Sequence, residues 1–330
     1  MLKNLTFITI SSNELSSVRS ISSDFSRVDM SSSVLSWVVD RLDSGNKVAL
    51  AVVLRTSGSV PGKVGAKLAL CEGQEGFVGT VGGAGLEFKI IKRCRELLDT
   101  CKTPYGETLT YGLNKGAKGY EVMPLDSLCG GQVTLSIEVL IPTPNILMMG
   151  GGHCAKAMSS TFDDLGWSYS ISDSREDFCN SELFPNAKKH YNTTVDAFFD
   201  QVSTLELIKY SDILLLGHDW SEDENRLLKL LNICQSNTFL PDGKQFPRIG
   251  VIGSRSKWQA FSKKALTHGL SQQLLDDVIC PIGLNIGAHS PEEIAVAVAG
   301  QILSLQRNVS PSDKTWRRSE EHTSELQSPM

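Results

Sequence analysis

Apolar positions recur at two periods along the chain, and their changes divide it into elements. VLSWVVDRL, Val34 to Leu42, carries apolar residues at helical spacing, and the KVALAVVLR that follows is a compact valine-rich run, so a helix feeding a strand is predicted. That run ends in RTSGSVPGKVGAKLAL, whose Ser-Gly, Pro-Gly and Val-Gly pairs predict a structured loop before a short strand at AKLAL. EGQEGFVGTVGGAGLEFKIIKRCRELL repeats the event: a glycine-rich turn enters a helix with Leu86, Ile90, Ile91, Cys94, Leu97 and Leu98 as its apolar positions. An alternating strand at GGQVTLSIEVLIP closes the region, and the two prolines of IPTPN, Ile141 to Asn145, mark a domain boundary.

Past that boundary the pattern changes to alternating strand and helix. NILMMG reads as a buried strand, GGHCAKAMSSTFDDLG as a helix ending near Gly166, and WSYSISD as the next strand, which together make a βαβ unit. A strand at DILLLG, a helix from about Glu222 to Leu231 and a strand at RIGVIGS follow. The last helix begins at HSPEEIAVAVAGQILSLQ, with Ser290 as N-cap, Pro291 in the first turn and Glu293 completing a capping box. The expected fold class is therefore α/β: a small N-terminal α/β domain over residues 34–141, then a Rossmann-like domain with a mostly parallel sheet over residues 145–307. A serine-rich leader, 1–33, and a tail, 308–330, without apolar period flank them. The RSEEHTSELQS stretch of that tail resembles a translated sequencing adapter, so His322 is no site candidate.

Composition narrows the function. The 330 residues suffice for two cores, and 41% hydrophobic with 21% charged residues is a globular composition. A net charge of -5 gives no general pull toward nucleic acid or an anionic membrane, so neither is an expected partner. The eight cysteines are scattered through helices and strands with no CxxC, which predicts reduced thiols. No apolar run approaches the roughly 20 residues of a membrane helix, and the serine-rich start lacks the form of a secretory signal, so a cytoplasmic protein is expected.

The chemistry-bearing candidates lie at strand ends. Gly150, Gly152 and Ala155 match GxGxxA between a strand and a helix, where backbone N–H groups can meet a phosphate. Asp173, at the end of the next strand, stands where dinucleotide binders place the acid that receives a ribose hydroxyl. This pattern predicts a nucleotide-like or phosphate-bearing ligand and keeps an NAD(P)-dependent oxidoreductase as one reading. His153 and Cys154, one histidine and one thiol, do not specify a metal. His218 and Asp219 follow DILLLG at the same edge, either as ligand or proton-transfer groups or as a cap for the next helix. Ser254 and Arg255 follow another strand, and the Arg255 fork suits phosphate, with Lys257 adding charge. In the first domain, Arg55 and Ser57 on one loop, Gly82 and Gly83 on another and Glu87 in the following helix could bind an anionic or polar group, although a turn-rich fold explains either loop alone. A nucleophile elbow, HExxH and a Walker loop are all missing from the sequence.

Several ordered stretches resemble one family, the XdhC/CoxI accessory proteins that mature molybdenum hydroxylases such as xanthine dehydrogenase. They are LRTSGSVPGKVGAKL and GTVGGAGLE, then MMGGGHCAKA with ISDSRED, then GHDWSEDE, IGVIGSRSK and CPIGLNIGAHSPEEIAVAVAGQI, and the likeness covers nearly all of residues 34–307. The resemblance implies a carrier, and not a conventional enzyme, that binds molybdenum cofactor (molybdopterin) while a cysteine desulfurase supplies sulfur, and then delivers it to an apo-xanthine dehydrogenase or related molybdenum hydroxylase. It also implies a homodimer. A noncatalytic docking protein for the hydroxylase is the remaining alternative. Two departures matter: Gly85 stands where many relatives have cysteine, and the usual VDPR-like and THD-like stretches appear as SDSR and GHD, which retain Asp173, Arg175, His218 and Asp219.

Overall fold

The structure is a computed structural model that describes residues 30–74, 76–113, 122–124, 130–236 and 246–311. Most of the leader and most of the tail lie outside the described residues. The first helix, α1, Met30–Asp43, begins inside the predicted leader.

The N-terminal half is one six-stranded sheet. In chain order its strands are β1, Val48–Ser57, β2, Lys67–Cys71, β3, Phe77–Gly79, β4, Tyr105–Gly112, β5, Val122–Pro124, and β6, Gln132–Leu140, and their spatial order is β3-β2-β1-β6-β4-β5. All pairings are antiparallel except β4 with β5. The period-two alternation of β1 explains why this sheet is covered on both faces. Ala49, Ala51 and Val53 join the core under α2, Ala84–Thr100, through Leu86, Ile90, Cys94 and Leu97. Val48 and Leu50 point the other way, to Val34 and Val38 of α1. Burial in this core pushes the Cys94 thiol up to about 12, so it behaves as a packed apolar group.

The C-terminal half is a five-stranded, wholly parallel sheet. Its strands are β7, Asn145–Met149, β8, Ser168–Asp173, β9, His190–Asn192, β10, Asp212–Leu215, and β11, Arg248–Val251. They lie in the order β11-β10-β7-β8-β9, the doubly wound arrangement whose direction reverses between β7 and β10. Both faces are buried, so β7 reads as a continuous apolar run without alternation. Ile146 and Met148 pack under α3, His153–Asp164, and α9, Pro291–Arg307. Leu147 and Met149 pack under α4, Val195–Gln201, α6, Trp220–Ser236, α7, Arg255–Thr267, and α8, Gln272–Asp276. Ser290 and Glu293 form the capping box at the start of α9, with Pro291 in its first turn. Among the described residues no helix is long and apolar enough to cross a membrane.

The domains meet through the linker Ile141–Pro144. Lys47 before β1, Glu72 after β2 and Lys102 after α2 face Asn145, Ser211 and Arg248 at the starts of β7, β10 and β11. The Gln306 amide also donates to the Pro142 carbonyl at 2.7 Å. The amino edge of the parallel sheet therefore abuts the N-terminal domain, and its carboxyl edge points away.

Candidate functional site at the carboxyl edge

The turn after β7 is built by three glycines, of which only the first two need to be glycine for want of space. Gly150 has φ 119°, and a Cβ there would lie 2.7 Å from the Gly217 nitrogen, because the ends of β7 and β10 press backbone against backbone. A Cβ on Gly151 would lie 1.8 Å from the Phe178 carbonyl. Gly152 is unlike both: its φ of -71° suits any residue, and a Cβ would meet nothing within 4 Å. Gly152 opens onto free space at the start of α3.

That helix start has no side-chain cap and no acidic residue in its first turn. The other helices of the parallel domain are closed by their own side chains: Thr194, Ser203, Ser254, Ser271 and Ser290 cap α4, the short α5, Thr204–Leu207, α7, α8 and α9. Asp219 does the same for α6, its carboxylate accepting from the Ser221 and Glu222 backbone at 2.6 and 3.1 Å, and those bonds hold its carboxyl below the usual range. The first-turn N–H groups of α3 are thus left to solvent or a ligand.

Asp173 does not stand free to meet a ribose. Its side chain is 2% exposed; Oδ2 accepts from the Gly151 N–H and Arg175 Nη2, both at 2.8 Å, while Oδ1 accepts from Arg175 Nε at 2.9 Å and the Arg175 N–H at 3.0 Å. The Arg175 guanidinium in turn stacks 3.8 Å over the Phe178 ring. Asp173 and Arg175 therefore clamp the glycine turn to the 3-10 turn Glu176–Phe178. Burial pushes the Asp173 carboxyl up, but the bonds from Arg175 and Gly151 outweigh it and leave it below its ordinary value of 3.8. A depressed folded value means stability that is present above the unfolded value and lost as pH falls through the folded one. Asp173→Asn is expected to unfold with a shallower pH dependence below about pH 4 than the parent chain, measured by urea unfolding at a series of acidic pH values. Equal slopes would remove the clamp from the acid response.

A buried ionic chain braces the same edge. Asp223, fully buried, accepts from Lys257 Nζ at 2.8 Å, Arg226 Nη1 at 3.0 Å and the Gly217 N–H at 3.2 Å. Lys257 also donates to the Ile252 carbonyl at 3.1 Å. Arg226 continues to Glu222 at 3.0 Å, and the Ser174 hydroxyl donates to Glu222 at 2.9 Å. The ends of β8, β10 and β11 are tied together by this chain. Asp223 and Arg226 were not candidates from sequence, where every residue of SEDENR is polar. A signal was present: Asp223, Leu227 and Leu230 fall on one helical stripe, all buried.

His153, His218 and Arg255 are exposed at this edge, with no side-chain hydrogen bond to a described residue. Cys154 is half-buried against the α3–α9 core, and burial, with Glu292 adding, raises its thiol, which disfavours a thiolate. No group of three or more His, Cys, Asp or Glu able to hold a metal occurs among the described residues.

The first-domain candidates lie elsewhere. Arg55 and Ser57 sit at the far end of β1, about 30 Å of strand away from the domain junction. Gly82 packs against Gly62, with only 2.4 Å between its would-be Cβ and the Gly62 Cα, and Gly83 against the Pro61 ring. Glu87 accepts from the Thr80 hydroxyl and the Gly82 N–H, so it folds its own turn. These residues and the carboxyl edge lie on opposite sides of the domain junction.

Fold and edge define a two-domain protein whose doubly wound half presents one uncapped helix start beside a clamped glycine turn. Residues 146–302 match the XdhC Rossmann domain, and residues 41–112 match the XdhC and CoxI family. A relative described as the uncharacterized protein YqeB of Escherichia coli is 26% identical over 79% of this chain and 44% of its own length. Another, described as a probable xanthine dehydrogenase subunit of Bacillus subtilis, is 27% identical over 52% of this chain and 46% of its own. The chain spans about half the length of these curated relatives. A crystal structure described as a xanthine dehydrogenase from Bacillus halodurans aligns over 85% of this chain and 97% of its own, with 16% identity and a TM-score of 0.41. The chain belongs to the XdhC and CoxI family.

Proposed function

We propose that this protein binds molybdenum cofactor at the carboxyl edge of its Rossmann domain, holds it during sulfuration by a cysteine desulfurase and delivers it to a xanthine dehydrogenase-type hydroxylase. The observation that carries the reading is the open, uncapped start of α3 at Gly152, a seat of the right polarity for the phosphate of a pterin. His153, His218 and Arg255 stand exposed on the same edge and offer polar contacts to the rest of the ligand. Trp220 and Ile286, 50% and 59% exposed, supply apolar surface on that edge for a client protein. The occupied Asp173 carboxylate weighs against the nicotinamide reading, which needs that acid for a ribose.

If Arg55 and Ser57 serve the same ligand, a second copy must bring them, as a head-to-tail homodimer would. Anaerobic purification of the full chain, followed by mass identification of the released small molecule, tests the proposal. A pterin that transfers to an apo-hydroxylase is the expected result. Recovery of a nicotinamide, or of no pterin from folded protein under reducing conditions, would sink it.

A further inference from the structure

The geometry points to a second binding site, in the cleft between the two domains, for a small phosphate monoester that carries a planar ring. This cleft encloses about 520 Å³, within the range of small-molecule sites, and lies at the amino edge of the parallel sheet. The inference does not rest on the function proposed for the carboxyl edge.

Charge is the first reason. Lys47, Lys102, Lys209 and Arg248 line the cleft with a single carboxylate, Glu72, in a chain whose net charge is -5. Two of these cations are committed: Lys47 to Glu72 at 2.6 Å and to the Leu98 carbonyl at 2.8 Å, and Arg248 to Asp212, both bonds at 2.8 Å. Lys102 and Lys209 are exposed and form no ion pair with a described residue. One comes from each domain, so an anion seated in the cleft has a cation on either wall. A phosphate monoester, doubly charged near neutral pH, answers to that pair.

Chemistry of the walls is the second. Asn145 donates through Nδ2 to the Lys209 carbonyl at 3.1 Å, but its Oδ1 is buried without a hydrogen-bond partner. A buried acceptor left unpaired is unfavourable, and a ring N–H from a ligand would satisfy it. Phe246, Pro142 and Pro144 add flat apolar surface on which a planar ring can lie. Nucleotides and pterin phosphates share this chemistry.

Calorimetric titration of the full chain with adenosine, guanosine and cytidine 5′-monophosphates and with inorganic phosphate tests the site, alongside analysis of any pterin retained on purification. At least one ring-bearing phosphate is expected to bind at least tenfold more tightly than inorganic phosphate. The Lys102→Ala/Lys209→Ala variant, altered only at exposed positions, should weaken it tenfold or more, and Gly152→Asp at the other edge should leave it unchanged. Retention of a pterin that the lysine variant loses and Gly152→Asp keeps would support this cleft and overturn the carboxyl-edge placement. Absence of binding by every nucleoside monophosphate and of any retained pterin, or binding indifferent to the two lysines, would overturn the inference.

Discussion

Asp223→Ala is expected to cost about 3–5 kcal/mol of folding stability, because it strands two cations inside the protein. Lys257 and Arg226 have side chains 7% and 2% exposed and both bond to the Asp223 carboxylate. Removing that carboxylate also leaves the Gly217 N–H without its acceptor. Against a typical total of about 5–15 kcal/mol, the loss is large enough to lower the unfolding midpoint in urea plainly. Replacing Asp223, Arg226 and Lys257 together by apolar residues of similar size should recover much of the stability, since the one charge that loses its partner, Glu222, is 28% exposed and keeps the Ser174 hydroxyl. If Asp223→Ala unfolds at the parental urea concentration, the network does not hold the edge as described.

Gly152→Asp should separate stability from binding. Its backbone already has the extended geometry of an N-cap, and the space around its would-be Cβ is empty. An aspartate there can accept from the first-turn N–H groups and face the positive end of α3, which adds up to about 1 kcal/mol to the helix. The same carboxylate occupies the proposed phosphate seat and repels an anion. Cofactor retention should fall tenfold or more while the melting temperature holds or rises. Undiminished retention would move the cofactor away from this helix start.

Much of the fold was legible because its causes are local. Ser290, Pro291 and Glu293 lie within four residues of one another, and their cap needs only a helix to follow. The apolar run of β7 and the glycine turn after it are similarly contiguous, and the parallel order follows from strand and helix alternation. β4 was not among the predicted strands. YGETLTYG is half polar, and its pairing partner, β6, lies some twenty residues further on, where Thr134 hydrogen-bonds Thr110 at 3.0 Å. The short β9 likewise takes its strand form from pairing with β8.

At the candidate site, sequence determined which residue types stand at the strand ends: glycines after β7, an acid after β8, histidine and arginine after β10 and β11. Tertiary structure decided what each is committed to. Asp173 and Asp219 are ordinary acids in sequence, yet one clamps a turn and the other caps a helix. Three adjacent glycines look alike, yet neighbouring backbone presses on two and leaves Gly152 open. The placement of Arg55 and Ser57 at the opposite end from Gly150 also depends on how the domains join. Residue chemistry is a property of the chain, but the hydrogen-bond partners and free space that decide its use come from segments distant in sequence, which only packing brings together.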